Sequence, residues 1–200
     1  MFRIAKSLIT IVAVLAIAAS ATGAYLSDSV TSNGNTFAAG TLALNVDGSH
    51  SNSVKFNVAN LRPGNQPIGT WEVSNVGSLN GYLDLENIVV TNAGGTYTDV
   101  EGVAGDPTNQ GNLGDLLSVT LFVDNNGDGW FSVGDQTIYS GAPNGLAASY
   151  DQNLLINSGN HNHITLQVNW FSHPGTLDNT GQGDTMQLDL AFELAQTTGQ

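Results

Sequence analysis

The residues best placed for chemistry form one twelve-residue stretch, Asp124-Asn125-Asn126-Gly127-Asp128-Gly129-Trp130-Phe131-Ser132-Val133-Gly134-Asp135. Oxygen-bearing side chains stand at its first, third, fifth, ninth and twelfth positions: Asp124, Asn126, Asp128, Ser132 and Asp135. A glycine stands sixth, where the chain must turn sharply, and Trp130, seventh, can offer its carbonyl. This spacing folds hard oxygen ligands around one point, as Ca2+ requires. The departure is at position twelve, Asp135 in place of the usual Glu; the side chain is one methylene shorter, so bidentate reach and affinity fall. Leu117 to Val123 before the loop and Gln136 to Tyr139 after it read as strands. The expectation is therefore a calcium loop joining two strands, against the alternative of a plain Asp/Asn/Gly hairpin turn.

His161 and His163 flank Asn162 and share one face if that segment is extended. With His173 they could ligate zinc; otherwise they are solvent-facing turn residues ahead of a strand. There is no His-Glu-x-x-His, no Gly-x-Ser-x-Gly and no phosphate or dinucleotide fingerprint. Glu86, Glu101 and Glu193 have no spacing that sets up a carboxylate pair. No catalytic residue is assigned. Trp71 and Trp170 fall on apolar faces and read as core, not as a carbohydrate platform.

Charge narrows the function classes further. The chain has 17 acids against 4 bases, a formal charge of −13. Two of those bases, Arg3 and Lys6, open an apolar run, Leu8 to Ala19, followed by small residues, which is the layout of a secretory signal. Cuts after Ala21 or Ala24 both fit. The run is short for a membrane span, so the mature form is not expected to cross one. Lys55 and Arg62 are the only cations beyond the leader, which argues against nucleic acid as a partner. There is no cysteine, so neither disulfides nor thiolate metal sites contribute. These properties suit a secreted, extracellular protein held by its core, bound metal or its neighbours.

The elements that would position these residues show a period of two. Leu42, Leu44 and Val46 alternate with polar or small residues. So do Val54, Phe56 and Val58; Trp71 and Val73; Leu83 and Leu85; Val119, Leu121 and Val123; Ile164 to Trp170; and Met186 to Leu194. Turn signals separate them, including Arg62-Pro63-Gly64-Asn65, Asn80-Gly81 and His173-Pro174-Gly175. The pattern predicts an all-β, two-sheet antiparallel β-sandwich of seven or eight strands with one or two short helices. Leu146 to Leu155 is a candidate helix and Leu113 to Leu116 a helical turn. Gly94 to Gly114, polar and rich in Gly and Asn, reads as an exposed excursion.

Four segments, in order, carry a resemblance. They are Tyr25-Leu26-Ser27-Asp28 after the leader, Asn35-Thr36-Phe37-Ala38-Ala39-Gly40-Thr41-Leu42, Asn60-Leu61-Arg62-Pro63-Gly64, and Ser74-Asn75-Val76-Gly77-Ser78-Leu79. With the closing strand Met186 to Gln196, the chain resembles the TasA/camelysin family of secreted matrix-fibre proteins. The match is weak from Tyr97 to Asn160. Asn65 and Ala43 replace acids common in the family, at positions strand exchange does not need. The resemblance implies a jelly-roll sandwich over residues 41–200, a signal over 1–24 cut between Ala24 and Tyr25, and a donor-strand arm over 25–40. The apolar residues Leu26, Val30 and Phe37 are spaced along that arm, beside Tyr25 and Asp28. It further implies head-to-tail homopolymerisation into extracellular filaments of a biofilm matrix, with other matrix or anchoring subunits as further partners. Two alternatives remain: a surface-associated metallo-endopeptidase using His161, His163 and an acid, and a monomeric calcium-binding adhesive module whose arm folds back.

Overall fold

The computed structural model describes residues 40–50, 61–96, 99–106, 108 and 110–199. The expected signal and its Ala24–Tyr25 junction, the expected arm residues Tyr25, Leu26, Asp28, Val30 and Phe37, and the strand expected over Val54 to Val58 lie outside them. Residues Met1–Asn35 and Thr36–Gln200 separate as two units, and every described residue belongs to the second.

The described residues form eight strands: β1 (Leu44–Val46), β2 (Ile68–Asn75), β3 (Gly81–Ala93), β4 (Ser118–Val123), β5 (Gln136–Gly141), β6 (Tyr150–Ile156), β7 (His161–Asn169) and β8 (Thr185–Ala195). Two short helices, α1 (Asp99–Ala104) and α2 (Leu113–Leu116), precede β4. One sheet has the order β1-β2-β7-β4-β5 and the other β6-β3-β8. All pairings are antiparallel. β7 returns from late in the chain to lie between β2 and β4, so the connections cross between sheets as in a jelly roll. The expected all-β sandwich is what forms.

The alternation explains which face is buried. Trp71, Val73, Val119, Leu121, Ile164, Leu166 and Val168 point inward from the larger sheet and meet Leu83, Leu85 and Ile156 from the smaller. Trp71 and Phe192 pack edge to face across the gap, with ring centroids 5.9 Å apart. Burying one Leu or Ile of this kind contributes about 1.5–3 kcal/mol. Trp71 and Trp170 are both core, as their positions on apolar faces predict.

A buried asparagine holds one corner. Asn75, at the end of β2, is fully enclosed. Its amide donates to the carbonyls of Leu79 (2.7 Å) and Ile156 (3.0 Å), and its oxygen accepts from the Gly77 N–H (3.0 Å). One side chain thus joins β2, the turn into β3 and β6.

Three sequence expectations are corrected. Leu146 to Leu155 is not helical: a 3-10 turn at Pro143–Gly145 is followed by strand β6. Asp84, expected on a polar face, is buried and accepts the Asn153 N–H at 2.7 Å. The two are one feature, because the pairing of β3 with β6 slips between Leu83 and Leu85 and Asn153 takes a positive φ of 47°. A bulge of this kind disrupts the ladder locally. The third concerns Gly94 to Gly114, which carries α1 and the start of α2 and is not wholly exposed. Glu101 and Asp106 are buried there. Asp106 accepts from Asn112 (2.7 Å), and Asp184, far along the chain, accepts the Asn112 N–H (2.6 Å).

Candidate metal centre

The loop Asp124–Asp135 joins β4 to β5, as expected from its flanks. Its first carboxylate is fixed before the loop begins: the Asp124 N–H donates to the His163 carbonyl (2.9 Å), continuing the β4–β7 ladder. The Asp124 side chain is buried. Its oxygens accept from the Gly127 N–H (2.7 Å), the Gly129 N–H (2.8 Å) and, more weakly, the Thr165 hydroxyl (3.4 Å). Gly127 and Gly129 have φ of 71° and 80°, a region that costs a side-chain-bearing residue about 1–2 kcal/mol.

The remaining loop side chains extend the pattern. Asn126 accepts from the Asp128 N–H (3.1 Å) and Asp128 from the Trp130 N–H (2.7 Å). Asp135 closes the loop, one oxygen on the Asn125 N–H (3.0 Å) and the other on the Ser132 N–H (2.7 Å) and hydroxyl (3.1 Å). Burial pushes the Asp135 carboxyl upward, but the hydrogen bonds from Ser132 and Asn125 outweigh it and hold the group below its ordinary 3.8. The Asn126 amide donates to Asp128 (2.9 Å) and to Ser132 (3.2 Å). Asn126, Asp128, Ser132 and Asp135 therefore form a connected chain, with neutral side chains lying between the carboxylates. Trp130 and Phe131 stand largely exposed at the loop's tip, with Phe131 edge-on to Phe122 at 5.3 Å.

A second cluster lies on the outer face of the larger sheet. β7 carries His161 and His163 on the face opposite Ile164 and Leu166. β2 runs beside it in a register that sets Glu72 against His163 and Ser74 against His161. The rings of His161 and His163 meet edge to face at 5.2 Å. His163 Nε2 is 3.9 Å from Glu72 Oε2. One donor atom from each of Glu72, His161 and His163 falls within 4.8 Å of the other two; among the described residues this is the group of three His, Cys, Asp or Glu side chains placed so closely. The His163 ring also borders the acidic loop: a Cβ added at Gly127 would lie 3.6 Å from its Nδ1.

His173, the third imidazole suggested by sequence, is elsewhere. Its ring nitrogen and backbone N–H both bond to Asp178, at 2.8 and 2.9 Å, and Asp178 also accepts from the Trp170 indole at 2.9 Å. Burial pushes Asp178 upward, while these hydrogen bonds and the His173 charge hold it below 3.8 overall. Glu72 takes the position that His173 does not. It was visible in the sequence only as a polar residue between Trp71 and Val73; its pairing with His163 depends on strand register between segments far apart in the chain.

Among the described residues no helix is long and apolar enough to cross a membrane. Comparison with curated proteins finds no match. The profile of the family described as camelysin metallo-endopeptidase matches residues 2–200. That match spans nearly the whole sequence, and the chain belongs to the camelysin metallo-endopeptidase family, the TasA/camelysin family.

Proposed function

We propose that this chain is an exported structural subunit that polymerises head-to-tail into extracellular filaments, the arm at residues 25–40 of one copy completing a sheet of the next. The observation that carries this reading is strand β8. Among the described residues it pairs with β3 alone, in a three-stranded sheet facing a five-stranded one. At about 4.8 Å per strand, the smaller sheet is some two strands narrower. Along β8 the side chains of Met186, Leu188, Leu190, Phe192 and Leu194 reach the core but are only partly buried. Their counterparts Ile164 and Leu166 on central β7 are fully enclosed. An added strand would cover that face and satisfy the backbone groups of an edge. Leu26, Val30 and Phe37 are the apolar residues the arm would bring. Family membership and the leader-like N-terminus support export, with cleavage between Ala24 and Tyr25 freeing the arm.

Calcium at Asp124, Asn126, Asp128, Trp130, Ser132 and Asp135 would stiffen the β4–β5 connection and screen an acidic subunit against its neighbours. The donor set fits a hard cation: three carboxylates, two neutral side-chain oxygens and a backbone carbonyl. Binding would require the Asn126 amide nitrogen to turn away from Asp128 and Ser132.

The test of strand exchange is complementation. Leaderless protein lacking residues 25–36 should be a folded monomer that binds a synthetic peptide of residues 25–37 with slow dissociation. A truncated protein that ignores the peptide and still polymerises would refute the reading. The family's protease description receives less support from the geometry. Metal-assisted peptide hydrolysis needs a carboxylate base beside the metal ligands, and the Glu72–His161–His163 group contains one carboxylate, which cannot be both ligand and base.

A further inference from the structure

We propose that Glu72, His161 and His163 form a binding site for a zinc-class divalent transition metal on the outer face of the five-stranded sheet, chemically distinct from the calcium loop beside it. The donor types select the class of metal. Two imidazole nitrogens and one carboxylate oxygen suit Zn2+, Co2+, Ni2+ or Cu2+, whereas Ca2+ and Mg2+ require an all-oxygen shell. Geometry is the second point. Ligands about 2.0–2.2 Å from a tetrahedral zinc stand roughly 3.3–3.5 Å from one another. The His163–Glu72 distance is 3.9 Å, and all three donors lie within 4.8 Å. Closing the site therefore takes shifts of about an ångström or less by side chains that retain solvent exposure, with no backbone movement.

Placement is the third point. All three residues sit on adjacent, fully paired strands, so their Cα positions are set by the β2–β7 register and little ordering remains to be done on binding. The Ser74 hydroxyl lies 3.4 Å from the other Glu72 oxygen, where it orients the carboxylate. Half of the Glu72 side chain and a third of His163 are exposed. The fourth coordination position therefore opens to solvent and takes water. The site uses β2 and β7, not β8 or the arm, so it stands or falls independently of filament assembly.

The test is titration of chelator-stripped, full-length mature protein with Zn2+ in millimolar Mg2+, which saturates sites made of carboxylates alone. One Zn2+ per chain should bind, and Co2+ at the same site should give visible d–d absorption of a low-coordinate ion. His161→Ala, an exposed substitution, should weaken Zn2+ binding at least tenfold and abolish the cobalt spectrum, while the melting temperature without metal stays unchanged. Glu72→Gln should weaken binding about tenfold, the order expected when one ligand contact is lost. Zinc affinity unchanged in His161→Ala, or no zinc binding to the wild-type protein in Mg2+, overturns the proposal.

Discussion

Replacing Asp124 separates the hydrogen bonding it provides to the loop from its proposed part in calcium binding. In Asp124→Ala, the Gly127 and Gly129 N–H groups lose a carboxylate that holds them at 2.7 and 2.8 Å. Hydrogen bonds to a charged group are worth about 1.5–3 kcal/mol each. Water can reach Gly127 once the carboxylate is gone, which recovers roughly half of that. The expected loss without metal is therefore about 2–4.5 kcal/mol, or roughly 4–18 °C in melting temperature for a domain of this size. Asp124→Asn keeps one acceptor and should cost about half as much. The assay is urea unfolding followed by tryptophan fluorescence, first in chelator and then across a calcium series. Calcium at 100 times its Kd should stabilise the wild-type protein by about 2.7 kcal/mol, and that increment should vanish in Asp124→Ala. A variant that loses less than about 0.5 kcal/mol in chelator would refute the assigned hydrogen-bonding role. A variant that keeps the full calcium increment would refute the ligand role.

Other predictions follow from the packing and the charges. Leu166→Ala removes a fully buried side chain from central β7 and should cost about 3–5 kcal/mol in chemical denaturation. Asn75→Leu fills similar space but strands two carbonyls and an N–H; a loss of about 3 kcal/mol or more is expected, and a neutral result would contradict the corner assignment. Asp135 and Asp178 both have carboxyls held below 3.8. Each should support stability fully above that ordinary value and lose the contribution as pH falls through its lowered one. Carboxyl NMR titration should find both midpoints below 3.8, and His173→Ala should move Asp178 upward.

Where apolar and polar residues alternate strictly, the sequence was enough. β2, β4, β7 and β8 follow from Trp71/Val73, Val119/Leu121/Val123, Ile164/Leu166/Val168 and Met186 to Leu194, because one face of each strand turns toward the core. The same logic placed the acidic loop between two strands. β6 was misread as a helix because the bulge opposite Leu83–Leu85 and the left-handed Asn153 interrupt its period. Asp84, the polar residue between Leu83 and Leu85, is buried for the same reason: its partner is a backbone N–H supplied by that irregularity. The Gly94–Gly114 excursion looked exposed because the contacts that anchor it come from Asp184. Of the candidate metal centre, the histidine pair was visible as His-x-His. Glu72 was not, since register between strands distant in sequence is a property of the assembled sheet.

Electron microscopy of the mature protein tests assembly through the arm most directly. Negative-stain images of the chain beginning at Tyr25 should show filaments. The same chain without residues 25–36 should show only monomers, with an unchanged far-ultraviolet spectrum and a cooperative melt. Filaments that persist after that deletion, or monomers alone when the free arm is present, would contradict assembly by donor-strand exchange.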